Sequence, residues 1–143
     1  MTTVHMVVGI AVLATNGVAG IWGAVAWSQG RSTQAFWWLL RAAQASVAIQ
    51  VGIGLILLAR GASAPDGLHI AYGVSPLVVT LVSEGMRVSV AQNALAEIPD
   101  LDALTRAQQI AIARKVALSE MGVMTVGALL ILTLALRAFQ TGG

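Results

Sequence analysis

Four long runs of apolar residues, at about 4–27, 36–59, 68–91 and 121–139, occupy most of the chain, and short polar stretches separate them. A helix that crosses the hydrocarbon core of a bilayer needs about 20 predominantly apolar residues. Each run is close to that length, so the pattern predicts four membrane-spanning helices. The polar stretch Ser28 to Gln34 and the turn-rich Gly61-Ala62-Ser63-Ala64-Pro65-Asp66-Gly67 are too short to do more than reverse the chain. Consecutive helices are therefore antiparallel, and the expected architecture is an up-down bundle. The third connection, Asn93 to Leu104, is more polar, and Pro99-Asp100 within it reads as a helix start. From Leu101 to Ser119 apolar positions alternate with Arg106, Gln108, Gln109, Arg114 and Lys115. This stretch predicts an amphipathic helix that either lies at the interface or runs on into the last span.

Composition sharpens the class. Charged residues are 10% of the chain and hydrophobic ones 57%, against about a quarter charged in soluble domains. The expectation is an all-α integral membrane protein with one four-helix domain over residues 1–143. The first run has no basic segment before it, so it reads as a mature helix rather than a signal peptide. With no cysteine, disulfides, thiolate metal sites and covalent haem attachment are excluded. The cations form no basic stripe interleaved with aromatics, which argues against nucleic acid as a partner.

Their distribution reports orientation instead. Arg31, Arg41, Arg87, Arg106, Arg114 and Lys115 flank the first and third connections, whereas Arg60 and Arg137 lie toward the other side. Lysine and arginine favour the cytoplasmic face. Both termini are thus expected outside a bacterial cytoplasmic (inner) membrane. Trp22, Trp27, Phe36, Trp37 and Trp38 read as an aromatic belt at one interface. Gly9, Gly17, Gly20 and Gly23 make the first helix the expected surface for a homo-oligomer or for a larger membrane complex, because small residues let helices approach closely in lipid. Met6, Met86, Met121 and Met124 read as core filler. Asn16 and Gln50 read as interhelical hydrogen-bonding residues contributing about 0.6 to 2 kcal/mol each.

Two constellations carry candidate chemistry. His5 and His69 open the first and third spans, which begin on the same side of the membrane, so the imidazoles share a depth. Each is followed four residues later by glycine, Gly9 and Gly73. Positions four apart share a helix face, so each glycine leaves space beside its histidine for the edge of a flat macrocycle. Neutral imidazole is a usual axial ligand of haem, and bundles hold cofactors between facing helices. The alternative is a solvated His5 near the terminus and an interfacial His69. Tyr72 reads equally as an interface anchor or a partner for a haem propionate, and Pro76 as a kink in the third helix.

Gln50-Val51-Gly52-Ile53-Gly54 and Leu68-His69 resemble the haem A synthase family, in which a glutamine is followed four residues on by glycine and a leucine-histidine pair opens the next helix. The resemblance covers about forty residues and implies that His69 ligates haem. The family has two four-helix units and a histidine motif with a glutamate, whereas this chain has one unit and lacks that motif. His5 then stands in for the second ligand, and the family's oxidative chemistry does not carry over.

The second constellation is ionic: Arg41, Glu84, Arg87 and Glu120, all expected in the cytoplasmic half. Glu84 and Arg87 are three apart and can pair on one helix face, with Arg41 and Gln44 forming another such pair. Glu84 lies about 22 Å along its helix from His69, at about 1.5 Å per residue. Intramembrane charges mark functional sites by default, here a quinone or proton site, but balanced signs equally make a salt-bridge network that fixes helix register. The leading expectation is a b-type haem protein, an electron-transfer or binding subunit more than a stand-alone enzyme, with a quinone or respiratory complex as candidate partner. Its rivals are a structural or assembly subunit and a small proton-coupled transporter.

Overall fold

A computed structural model describes residues 2–96, 98, 100 and 103–142, with Thr2 by its backbone. The fold is an all-α bundle of four long helices: α1 (Thr2–Ser28), α2 (Gln34–Ala59), α3 (Gly67–Ala96) and α4 (Arg106–Gln140). All four are long and apolar enough to cross a membrane. Glu97, Pro99, Leu101 and Asp102 lie outside the described residues, and with them much of the expected Pro99-Asp100 helix start. The described α4 begins later, where Thr105 accepts from the Gln108 backbone N–H while the Gln108 side chain reaches back to the Thr105 N–H. That reciprocal arrangement satisfies two otherwise unpaired donors of the first turn. From there α4 runs unbroken to Gln140, so the amphipathic stretch and the last span are one helix.

The first two reversals have the same local cause. Gly30 and Gly61 adopt positive φ, at 64° and 85°, a conformation that glycine reaches without a steric penalty. The following N–H groups turn back onto the ended helix: Arg31 donates to Ala26 O at 2.9 Å, and Ala62 to Leu57 O at 3.1 Å. These are Schellman closures. Thr33 then caps α2 through the Phe36 N–H, and the Asp66 carboxylate caps α3 by accepting the His69 N–H at 2.7 Å.

Packing is most extensive between α3 and α4, then α1 with α4 and α1 with α2; α2 and α3 touch least among adjacent helices, the diagonal α2 and α4 meet only slightly, and α1 and α3 stand diagonally opposite without backbone contact. The core falls into layers from α1, α2 and α4. Val12, Val47, Val51, Ile131 and Ala135 fill the end near the termini; Ala19, Ala43 and Ala128 form the middle; Ala26, Phe36, Leu40, Met121 and Met124 fill the other end. The side chains left outside, such as Val7, Ile21, Leu55, Leu81 and Leu130, are apolar as well, as lipid requires.

Three expectations are corrected here. The glycines of α1 face side chains inside the bundle rather than an outer surface. A Cβ on Gly20 would lie 2.7 Å from Leu129 of α4, and one on Gly23 would lie 2.6 Å from the Phe36 ring and against the Thr125 hydroxyl. Phe36 leaves the aromatic belt, being fully buried in edge-on contact with Trp37, whereas Trp22, Trp27 and Trp38 stay exposed. Of the methionines, Met121 and Met124 fill the core, but Met6 and Met86 are exposed. Overpacking a tight core costs about 1–3 kcal/mol, so Gly23→Ala is expected to lower the thermal unfolding midpoint in detergent by several degrees. An unchanged midpoint would show that Phe36 gives way freely.

Candidate functional site

At the end of the bundle that holds both termini, the first turns of α1 and α3 bring the histidines together. Their ring centroids are 6.1 Å apart with the planes inclined at 63°. The rings thus bridge the diagonal that the backbones leave open. A cavity of about 580 Å³ lies around them, within the roughly 300–1,000 Å³ of small-molecule sites. Its floor is Val12, Val47 and Val51; its walls include Gln50, Gly54, Tyr72, Gly73 and Pro76; the connection Ala62 to Pro65 and Gly142 close over it. Pro76 has no N–H to give to the carbonyl of Tyr72, one turn earlier, so that backbone bond is missing from the α3 wall.

Each imidazole is held from behind. His69 Nδ1 lies 3.0 Å from Ala138 O, a carbonyl in the last turn of α4, where main-chain partners run out and the Thr141 hydroxyl also donates at 3.2 Å. A carbonyl only accepts, so Nδ1 carries the proton and Nε2 keeps its lone pair. On the other side His5 Nε2 lies 3.3 Å from the Gln50 amide nitrogen. His5 Nδ1 and Gln50 Oε1 are buried with no hydrogen-bond partner. With the amide turned over, Gln50 accepts a proton from His5 Nε2 and leaves the Nδ1 lone pair free. In either orientation a polar atom of His5 remains unpartnered, an arrangement that costs about 1–3 kcal/mol per buried group.

The glycines play different parts. Around Gly73 nothing lies within 4 Å of an added Cβ, so it opens onto free space. At Gly9 the equivalent space is filled by the Gln50 amide, 3.1 Å away, and at Gly54 a Cβ would lie 3.3 Å from the His5 ring. Gln50 and Gly54 are thus joint supports of His5, on the α2 stripe that also carries Ser46, which bonds Thr15 of α1 at 3.0 Å. Asn16 is buried but donates to Val12 O of its own helix.

The four charged residues also converge, at the opposite end. Glu84 Oε1 accepts from Arg41 at 2.6 Å and from Gln44 at 2.7 Å, Glu84 Oε2 accepts from Arg87 Nε at 2.9 Å, and Arg87 Nη1 reaches Glu120 at 3.2 Å. The Arg87 guanidinium lies 5.8 Å from the centre of the Trp37 ring. Arg41 is seven residues into α2, about 10 Å of helix. The network therefore ties α2, α3 and α4 below the level of the first connection.

Among the described residues no three or more of His, Cys, Asp and Glu gather as a metal site. The two histidines would be the residues to hold a metal-centred group between α1 and α3, their rings 6.1 Å apart and each anchored from behind. Fold and site together define a membrane-spanning four-helix bundle with a histidine-lined cavity at one end. Compared with family models, with characterised proteins and with solved structures, the chain matches none.

Proposed function

We propose that the protein is a small b-type haem protein of a bacterial cytoplasmic membrane, with both termini extracytoplasmic and haem held between His5 and His69 for electron transfer. The observation that carries this reading is the meeting of two imidazoles from diagonal helices at 6.1 Å in a cavity that leaves a buried His5 nitrogen without a partner. When bound, haem supplies a one-electron couple. The chain's own residues do the rest. His69 binds through Nε2 while the Ala138 carbonyl fixes its tautomer, Gln50 orients His5, Gly73 leaves room for the macrocycle edge, and Val12, Val47 and Val51 keep water from the floor. The likeness of Gln50 to Gly54 and of Leu68-His69 to haem A synthase supports the same role for His69. A membrane quinone or a larger respiratory complex is the corresponding electron partner.

The ionic network favours a separate, structural part in this reading. Both oxygens of Glu84 are engaged by donors, as suits a clamp more than a carboxylate that takes up and releases protons. It also supports the rival in which the chain serves as a structural subunit. A reduced-minus-oxidised visible spectrum of protein purified from haem-supplied cells separates the two. Low-spin b-type bands are expected; a colourless, folded protein would overturn the haem reading. In Gly73→Leu the side chain enters open space, and leucine favours helix over glycine by up to about 1 kcal/mol. That variant is expected to keep its fold and thermal midpoint while losing the bands, which a circular dichroism melt and the same spectrum would check.

A further inference from the structure

Resting on the haem reading of the site, we infer that its ligand enters sideways, from the lipid phase, through a portal between α2 and α3. The register of these helices is set by the Gln44–Glu84 contact of 2.7 Å. In an antiparallel pair, residues at equal depth have numbers with a constant sum, here near 128, so Leu58 faces Ile70 and Leu55 faces Val74. On α2 the positions Arg41, Gln44, Ala48, Val51, Leu55 and Leu58 fall on one stripe of the helix. The lower part of that seam is tied by Arg41 and Gln44 to Glu84. Among the described residues the upper part has no such tie, and α2 and α3 are the least packed adjacent pair of the bundle.

Leu55, Leu58, Ile70 and Val74 each line the histidine cavity and are each exposed on the outside of the bundle. A side chain can do both only where the cavity wall is one residue thick. The rim on both sides of this gap is aliphatic, which suits a flat, largely apolar macrocycle arriving edge-on from the acyl chains. By contrast the α1–α4 seam is tightly packed below the cavity, where Gly17 and Gly20 lie against Leu132 and Leu129. Its exposed lining residues, Thr3, Met6 and Phe139, sit where the helices end.

Because the chain has no cysteine, the portal can be pinned shut site-specifically. Leu58→Cys with Ile70→Cys, prepared haem-free in lipid nanodiscs, is treated with a bis-maleimide of about 10 Å reach, matched to a helix spacing of about 8–10 Å. Haemin is then added and its uptake followed by absorbance. Crosslinking before haemin should slow uptake about tenfold or more, and crosslinking after loading should leave the spectrum intact. The same treatment of Ala48→Cys with Leu81→Cys, across the seam but below the cavity, should leave the rate unchanged. Uptake at the untreated rate in the crosslinked Leu58/Ile70 pair would overturn the portal while keeping the haem site. Equal slowing by single-cysteine adducts or by the lower crosslink would overturn it too. No uptake by the untreated, folded protein would overturn the haem reading itself, and the portal with it.

Discussion

His69→Ala is expected to abolish the b-type difference spectrum, with the helical content of the protein unchanged. The imidazole is held by a backbone carbonyl of α4 at 3.0 Å and contributes little to the buried core, so its removal takes away the ligand and spares the fold. His5→Ala should do the same. The supporting residues predict a graded result. Gln50→Leu removes the polar neighbour that orients His5 and should weaken haem affinity by about 10–100-fold, as loss of an outer partner does in metal sites, without erasing the bands at saturating haemin. Titration of haemin into the three variants and the parent protein measures this directly. A spectrum that survives His5→Ala would require a different second ligand and would return His5 to the role of a terminal polar residue.

The second large effect belongs to Glu84, and it is expected in stability and not in the spectrum. Glu84→Ala leaves Arg41 and Arg87 without the carboxylate that both use. Removing one partner from a buried pair costs about 3–5 kcal/mol; with Arg41 about half exposed and Glu84 about a quarter exposed, about 2–3 kcal/mol is the appropriate scale. That corresponds to a fall of about 5–15 °C in the unfolding midpoint. Glu84→Gln keeps a hydrogen-bond acceptor for Gln44 and should fall less. A Glu84→Ala protein as stable as its parent would show that packing alone sets the register of α2, α3 and α4.

The sequence made some of this legible and hid the rest for physical reasons. Helical periodicity and span direction were enough to place His5 and His69 at one depth, and to pair Glu84 with Arg87. Periodicity does not say how each helix is rotated toward its neighbours. Gln50 therefore read as an interhelical hydrogen-bonding residue with no sign that its partner is His5, and the α1 glycines read as an outer surface. In lipid the usual contrast between an apolar inside and a polar outside is missing. Small and polar side chains such as Ala19, Ala43, Ala128, Asn16, Ser46, Ser83 and Thr125 are buried while many Val, Ile and Leu side chains lie outside, yet Val12, Leu40, Val47, Val51, Ile131, Met121 and Met124 are buried too. Hydrophobicity alone therefore does not mark the interior, and Phe36 sits there because it fills the space that Gly23 leaves. The Ala138 carbonyl that steadies His69 is main chain, and no residue type signals it. The Thr105 and Gln108 capping box was a readable signal, passed over for the more conspicuous Pro99-Asp100.

The unequal helix lengths carry a practical consequence. At about 1.5 Å per residue, α4 is about 52 Å long and α1 about 40 Å, and Arg114 touches Gly30 O at the level of the first connection. Roughly two turns of α4 therefore project past the level of the first connection, with Arg106 at their start. Trypsin added to sealed vesicles can reach that projection from one side only. The side on which α4 is nipped short reports which way the molecule sits in its membrane, without a tag or a fusion partner.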